Sequence, residues 1–341
     1  MAKFLRLDVY KEIIDTGLIP VFYNPSFDTS VSIIEALADC GVRTIEFTNR
    51  GDNAHKIFSK LVEHFQAARP ELILGVGSII DPVTAGIYMA SGANFVVGPL
   101  FNLEVAKLCN RLKIAYSPGC SSATEISDAE ESGVEIVKIF PGGSVGGPGF
   151  VKSILGPMPW VRMMPTGGVE ATRESIKEWF SAGVCSVGIG SDLIKKTWVQ
   201  NREFGKISDL CNQVIHWIRE ARRLPLFTGL DHIGLYPAEA RNDQELLLWY
   251  EDLFALDRLE KENAFFLGGS QMGKLEISKV EVGLKPHIAI RTSDFDKAVS
   301  FLKQKGVEID EPIIKKDMKL AFLRSEDPAG NKVHIVWRKE K

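Results

Sequence analysis

The chain is short of cysteine, and its few cysteines show no paired spacing. Cys40, Cys109, Cys120, Cys185 and Cys211 are scattered, with none beyond residue 211. That fits reduced thiols in a cytosol better than a disulfide framework. An excess of positive charge is also missing: 41 Lys and Arg stand against 44 Asp and Glu, for a formal net charge of −3. Nothing electrostatic therefore argues for nucleic acid or an anionic membrane as partner. No apolar run could span a bilayer, and the chain opens polar with Lys3, Arg6, Asp8, Lys11 and Glu12, so no signal-peptide core is expected. No Gly-x-Gly-x-x-Gly follows the first apolar run, which argues against an open dinucleotide-binding sheet. What remains is a chain of 341 residues, 45% hydrophobic and 25% charged. That is globular composition and room for two domains.

Up to about residue 200, short apolar runs alternate with helical patterns. Eight runs are read as strands: 18–22, 44–48, 72–76, 95–97, 114–116, 136–140, 161–164 and 186–189. Intervening segments such as 30–40 and 172–182 read as helices. Eight strand–helix units over this length predict an α/β fold, a closed (β/α)₈ TIM barrel, with 203–223 as a closing helix that Leu224-Pro225 ends. The expected first domain is residues 1–223.

Three fragments carry chemistry: Glu46-Phe-Thr-Asn-Arg50, Lys138-Ile-Phe140-Pro141 and Pro165-Thr-Gly-Gly168. Each lies at the end of a predicted strand, where barrels of this kind place reactive groups. Strand alternation puts Glu46, Thr48 and Arg50 on one face, and likewise Lys138 and Phe140. A lysine desolvated inside a barrel loses its proton more readily and becomes a nucleophile. A carboxylate such as Glu46 can move protons, and the planar fork of Arg50 matches a substrate carboxylate. Spacing alone leaves open a plain structural ion pair between Glu46 and Lys138. Thr166-Gly-Gly168 and Gly188-Ile-Gly190-Ser191 each end a strand and are expected to open a helix, which would make an anion cradle for a phosphate. Tight chain reversal is the alternative reason for those glycines.

These fragments, with Gly41-Val-Arg-Thr-Ile45 before the first and Gly75-Val-Gly-Ser78 between, occur in family order. Residues 10–222 thereby resemble the 2-keto-3-deoxy-6-phosphogluconate aldolase / 4-hydroxy-2-oxoglutarate aldolase family of pyruvate-dependent class I aldolases. The resemblance implies Lys138 as Schiff-base lysine and Glu46 as general acid and base. It implies Arg50 on the pyruvate carboxylate, with Ser78, Pro99 and Phe140 around pyruvate. Gly167, Gly168, Gly190 and Ser191 would take the distal phosphate. It further implies a homotrimer, a keto-acid or sugar-acid phosphate as small-molecule partner, and no cofactor for the aldolase. Ser78 stands where many members have threonine, Gly98 where serine is common, and the stretch 142–149 is glycine-richer. These departures leave the lysine chemistry intact and bear on the aldehyde partner.

Beyond residue 226 the rhythm changes. His232-Ile-Gly-Leu-Tyr236 recurs as His287-Ile-Ala-Ile-Arg291, each followed by an amphipathic helix (243–255 and 294–305) and by short strands including 274–282 and 333–338. The pattern predicts a small α+β domain over 226–341, made of two duplicated βαβββ units facing each other across a cleft. His232 and His287 are expected to begin the first strand of each copy. Glu276 and His334 fall on the matching last strands. Four strands then offer one ligand each, a set able to hold a divalent metal. This half resembles the vicinal-oxygen-chelate superfamily of glyoxalase-like domains, with His334 where glutamate usually follows Asp-Pro-x-Gly-Asn. A fold kept as a metal-free binding or assembly module remains the alternative.

The leading expectation for the whole chain is retro-aldol cleavage of a 2-keto-4-hydroxy acid to pyruvate and an aldehyde. A metal-dependent lyase or isomerase centred on the second domain is an alternative, as is a noncatalytic sugar-acid sensor.

Overall fold

The computed structural model describes every residue except 1, 224–226, 238–242, 255–257, 269–272, 280–283, 329 and 339–341. The chain divides into two compact units, Met1–Leu224 and Pro225–Lys341. Each is built around its own apolar clusters. No described helix is long and apolar enough to cross a membrane.

The first unit opens with α1 (Arg6–Thr16) and then alternates. Its elements are β1 (Leu18–Phe22), α2 (Phe27–Ala38), β2 (Thr44–Thr48), α3 (Ala54–Ala68), β3 (Ile73–Gly77), α4 (Pro82–Ala90), β4 (Phe95–Val97) and α5 (Leu103–Leu112). There follow β5 (Ala115–Ser117), β6 (Gly119–Cys120), α6 (Ala123–Glu131), β7 (Val137–Ile139), α7 (Gly147–Leu155), β8 (Met163–Pro165), α8 (Arg173–Ala182), β9 (Val187–Ile189), α9 (Lys196–Gln200) and α10 (Phe204–Ala221). Parallel pairing runs β5-β4-β3-β2-β1-β9 and β6-β7-β8. A Thr166–Gly188 bridge joins β8 to β9. The fifth strand position is split at Pro118, which has no N–H to give a ladder, although its carbonyl still accepts from the Lys138 N–H at 2.9 Å. The ring closes as a TIM-like (β/α)₈ barrel.

All residues of these strands are buried, as expected where a parallel sheet is covered on both faces. The strands at 18–22, 44–48 and 95–97 have the expected bounds, and the others depart by one or two residues, for instance Ile73–Gly77 against 72–76. Pairing with the neighbouring strand, not hydrophobicity, sets those ends. Val9, Tyr10 and Ile13 of α1 pack with Ile19, Val21, Ile73, Phe95, Val97, Ile136 and Met164. The Tyr10 hydroxyl accepts from the Tyr116 N–H at 3.0 Å, pinning α1 against β5. Apolar side chains therefore fill one end of the interior and leave the other for polar groups.

The second unit contains β10 (Phe227–Leu235), α11 (Asp243–Phe254), β11 (Arg258–Glu260), β12 (Ala264–Leu267), β13 (Lys274–Ser278), β14 (His287–Thr292), α12 (Phe295–Gln304), β15 (Ile313–Lys315), β16 (Met318–Phe322) and β17 (Lys332–Arg338). The duplication is visible in one eight-stranded sheet of order β11-β12-β13-β10-β14-β17-β16-β15. β10 pairs β13 and β14 pairs β17 in parallel, while β10 and β14 run antiparallel at the centre. The two copies are thus joined edge to edge instead of forming separate sheets across a cleft, because β10 and β14 satisfy each other's ladder. His287 begins β14, but His232 lies five residues into β10. Residues 280–282 of the strand expected at 274–282, residue 255 of the expected helix, and the helix break at 224–225 lie outside the described residues.

Candidate active site and candidate metal centre

Lys138 is the only lysine in any strand of the barrel. It is 5% exposed, between Ile136 and Phe140, and its Nζ stands 4.7 Å from the Phe140 ring centroid. Burial pushes its ammonium below the ordinary lysine value; Glu46 opposes this and Arg50 adds to it. Glu46, on β2, is 1% exposed, and burial pushes its carboxyl above the usual range against the pull of Lys138 and Arg50. Its Oε2 has no hydrogen-bond partner among the described residues. The direct ion pair that spacing left open is not formed among the described residues, although amine and carboxyl are both buried.

Arg50 lies just past β2 and is exposed, and its Nε donates to Ser78 Oγ at 3.3 Å. Ser78 is held in the left-handed region at φ 62°, aiming its hydroxyl from the end of β3. Gly77, next to it, has a role that sequence reading missed. A Cβ there would come within 1.7 Å of Glu46 Oε1. Gly75 likewise makes room for the Phe95 ring, 2.4 Å from where its Cβ would be. Pro99 is half-buried after β4, and its carbonyl lies 2.2 Å from where a Gly119 Cβ would stand.

The glycine turns differ from expectation. Gly167 and Gly168 are left-handed at φ 80° and 82°, but α8 starts only at Arg173, capped by Thr172. After Gly190 and Ser191, the next helix starts at Lys196 and has five residues. Neither turn opens a helix directly, because each chain reversal takes extra residues first. Gly168 packs on Gly143, whose Cα would be 2.6 Å from a Gly168 Cβ. The carboxylate of Asp192 accepts from the Ala171 N–H between the two turns. A carboxyl group of the chain itself therefore lies beside the residues that follow these turns.

In the second unit, His232, His287 and His334 are buried, and their ligand atoms lie within 4.8 Å of one another. The Nε2 atoms of His232 and His287 are 3.0 Å apart. Glu276 Oε2 is 2.7 Å from the first and 3.9 Å from the second. The three histidines therefore converge, with Glu276 beside His232 and His287, brought together by the central strands β13, β10, β14 and β17. Burial works against a charged His232, but the hydrogen bonds of Asp231 and Glu276 win and hold its value up. Burial and then His232 push His287 down. Burial, with the neighbouring imidazoles, pushes His334 down to about 3. Neither ring nitrogen of His334 has a partner among the described residues, an unfavourable state for a buried imidazole that a cation would relieve. Three imidazoles and one carboxylate fit a borderline divalent ion such as zinc.

The family model described as KDPG and KHG aldolase matches residues 9–210. The chain belongs to that family. A 2-dehydro-3-deoxy-phosphogluconate aldolase of Haemophilus influenzae is 27% identical over 217 residues, 64% of this chain and 100% of the relative. One of Pseudomonas aeruginosa is 30% identical over 190 residues, 55% of this chain and 83% of the relative. Among solved structures, a KDPG aldolase of Legionella pneumophila, with pyruvate captured as a covalent carbinolamine intermediate, is 27% identical at a TM-score of 0.55, covering 60% of this chain and 96% of its own. The model of the Glyoxalase/Bleomycin resistance protein/Dioxygenase superfamily matches residues 229–335.

An aldolase of this family thus carries a second unit of glyoxalase type. Two side chains at its histidine cluster escaped the sequence reading. Asp231 precedes and Tyr236 closes the segment that repeats as His287 to Arg291; Pro286 and Arg291 stand at the matching places of the second copy, so the repeat itself gave no signal for them.

Proposed function

We propose that the barrel is a Schiff-base aldolase cleaving a 2-keto-4-hydroxy acid to pyruvate and an aldehyde. The foremost substrate is 2-keto-3-deoxy-6-phosphogluconate, giving glyceraldehyde 3-phosphate. The observation that carries this is the buried Lys138 amine sharing one interior with the buried Glu46 carboxyl, whose value burial raises. Lys138 adds to the C2 carbonyl, and loss of water leaves an iminium. Glu46 supplies the proton for that water and, as carboxylate, takes the proton of the C4 hydroxyl. The C3–C4 electron pair then flows into the iminium, the aldehyde leaves, and protonation of the enamine at C3 followed by hydrolysis frees pyruvate. Arg50, steadied by Ser78, pairs with the carboxylate of the keto acid. A homotrimer working in the cytoplasm completes this reading; mass photometry of the purified chain tests the assembly.

Borohydride reduction with pyruvate tests the chemistry. One adduct is expected, on the peptide containing Lys138, and Lys138→Ala should abolish both adduct and turnover. An adduct on another lysine, or none on active protein, sinks the assignment.

A second reading concerns the other unit. We propose that His232, Glu276, His287 and His334 hold one divalent metal, which when bound supplies Lewis-acid polarisation of an oxygen ligand. The convergence of the three imidazoles, with Glu276 beside two of them, supports it. Elemental analysis of chelator-free protein should find about one ion per chain, absent from His287→Ala. That same substitution should leave aldolase turnover unchanged.

A further inference from the structure

The three imidazoles of the cluster differ in what stands behind them. His232 Nδ1 is 2.8 Å from Asp231 Oδ1. Asp231 in turn accepts from Arg338 Nε on β17, at 3.1 and 3.3 Å to its two oxygens, and its side chain is 8% exposed. Consecutive strand residues ordinarily face opposite sides of a sheet. Here the β10–β14 register shifts between Leu230 and His232. Such an irregularity re-aims a side chain, and it lets Asp231 reach the ring of its own neighbour. His287 Nδ1 is 2.9 Å from the Tyr236 hydroxyl. In both rings the outer nitrogen is engaged, and Nε2 is the atom turned to the shared point with Glu276. His334 has no such support among the described residues: both nitrogens lack a partner there, and the Phe322 ring lies 4.5 Å from it, centroid to centroid.

We propose that Asp231 and Tyr236 are positioning residues that fix His232 and His287 with Nε2 inward, so that these two and Glu276 are the firm ligands and His334 the exchangeable one. The inference rests on the metal reading above. A hydrogen bond to the far nitrogen sets the tautomer and orientation of a ligating imidazole and raises its basicity. A ring without one is free to turn, and it yields its place to an incoming nitrogen or oxygen donor. Two imidazoles and one carboxylate that stay in place, with a fourth position that opens, form a set that can bind a substrate oxygen without losing its ion.

Cobalt(II) titration of the full chain tests this, read by chelator competition and by the visible ligand-field spectrum. Asp231→Asn and Tyr236→Phe keep shape and remove only the hydrogen bond, and circular dichroism verifies their folding. Each should weaken cobalt affinity by about 10–100-fold. His334→Ala should retain cobalt far better than His287→Ala, with a changed spectrum that added imidazole restores. Unchanged affinity in Asp231→Asn and Tyr236→Phe, or equal loss in His334→Ala and His287→Ala, overturns the division of roles while leaving the metal site standing. A wild-type chain that takes up no cobalt overturns the metal reading and this inference with it.

Discussion

The carboxylate of Glu46 lies over the backbone of Gly77, its Oε1 1.7 Å from where a β-carbon on that glycine would stand. Glu46 and Gly77 are on adjacent parallel strands, in register through Glu46–Gly75 and Thr48–Gly77. A single methyl group at Gly77 must therefore displace the carboxylate. Gly77→Ala is expected to lower kcat by about 10²-fold, the cost of misplacing a reacting group by around 1 Å. Pyruvate KM should change little. Near-normal kcat in this variant would remove Glu46 from the proton-transfer role.

Glu46→Gln should separate activity from stability. Proton transfer by a placed side chain contributes about 10²–10⁴-fold, and kcat should fall by that much. The carboxyl is buried, its value raised chiefly by that burial, and Oε2 has no partner among the described residues. Removing its charge removes a desolvation cost, so thermal unfolding should show an equal or higher Tm. A clear drop in Tm would mean that Glu46 is part of the structural framework.

Arg50 and Ser78 should act on binding. Losing a charge-assisted hydrogen bond costs about 1.5–3 kcal/mol, so Arg50→Met is expected to raise the pyruvate KM by roughly 10–100-fold. Ser78→Ala should raise it by a few-fold, since the hydroxyl only steadies the guanidinium. Steady-state kinetics in which kcat falls and KM holds would contradict both roles.

The pH dependence of imine formation follows from Lys138. Burial, seconded by Arg50, disfavours the ammonium, and Glu46 opposes them. The amine is the reactive form, so the rate at saturating pyruvate is lost as pH falls through the Lys138 value. It should reach its plateau below about 10.4, the ordinary lysine value. Arg50→Met removes a positive neighbour and should move the midpoint up; Glu46→Gln removes a negative one and should move it down. Rapid borohydride quenching across a pH series reads all three.

Asp192 bears on the distal end of the substrate. Its carboxylate sits between the two glycine turns, bonded to the Ala171 N–H. Two unit charges 4 Å apart in water interact by about 1 kcal/mol, so a dianion there is disfavoured by roughly fivefold per charge pair. The wild type should still prefer the 6-phosphorylated sugar acid over 4-hydroxy-2-oxoglutarate in kcat/KM, and Asp192→Ala should widen that preference by about 10-fold. Equal kcat/KM for the two substrates, unmoved by the substitution, would assign the turns to chain reversal alone.

The sequence by itself determined the eight-strand rhythm of the barrel, because each run alternates short apolar stretches with helical spacing between breakers. It also determined Lys138 as the reactive candidate, since a lysine amid Ile136, Val137, Ile139 and Phe140 has an identity that needs no neighbour to read. The repeat around His232 and His287 was legible for the same reason, and so were His334 and Glu276 as its candidate companions. Only the tertiary structure decided what depends on residues far apart in the chain. It showed Gly77 as the space beneath Glu46, because a missing side chain becomes informative only when something fills its place. It separated Glu46 from a direct ion pair with Lys138, a distance that strand alternation cannot supply. It moved the glycine turns off the helix starts and put Asp192 between them. In the second unit it joined the copies edge to edge, as pairing between β10 and β14 requires. A register shift in that pairing turned Asp231 toward His232, and shifts of register are set by the partner strand, which one strand's own residues do not encode.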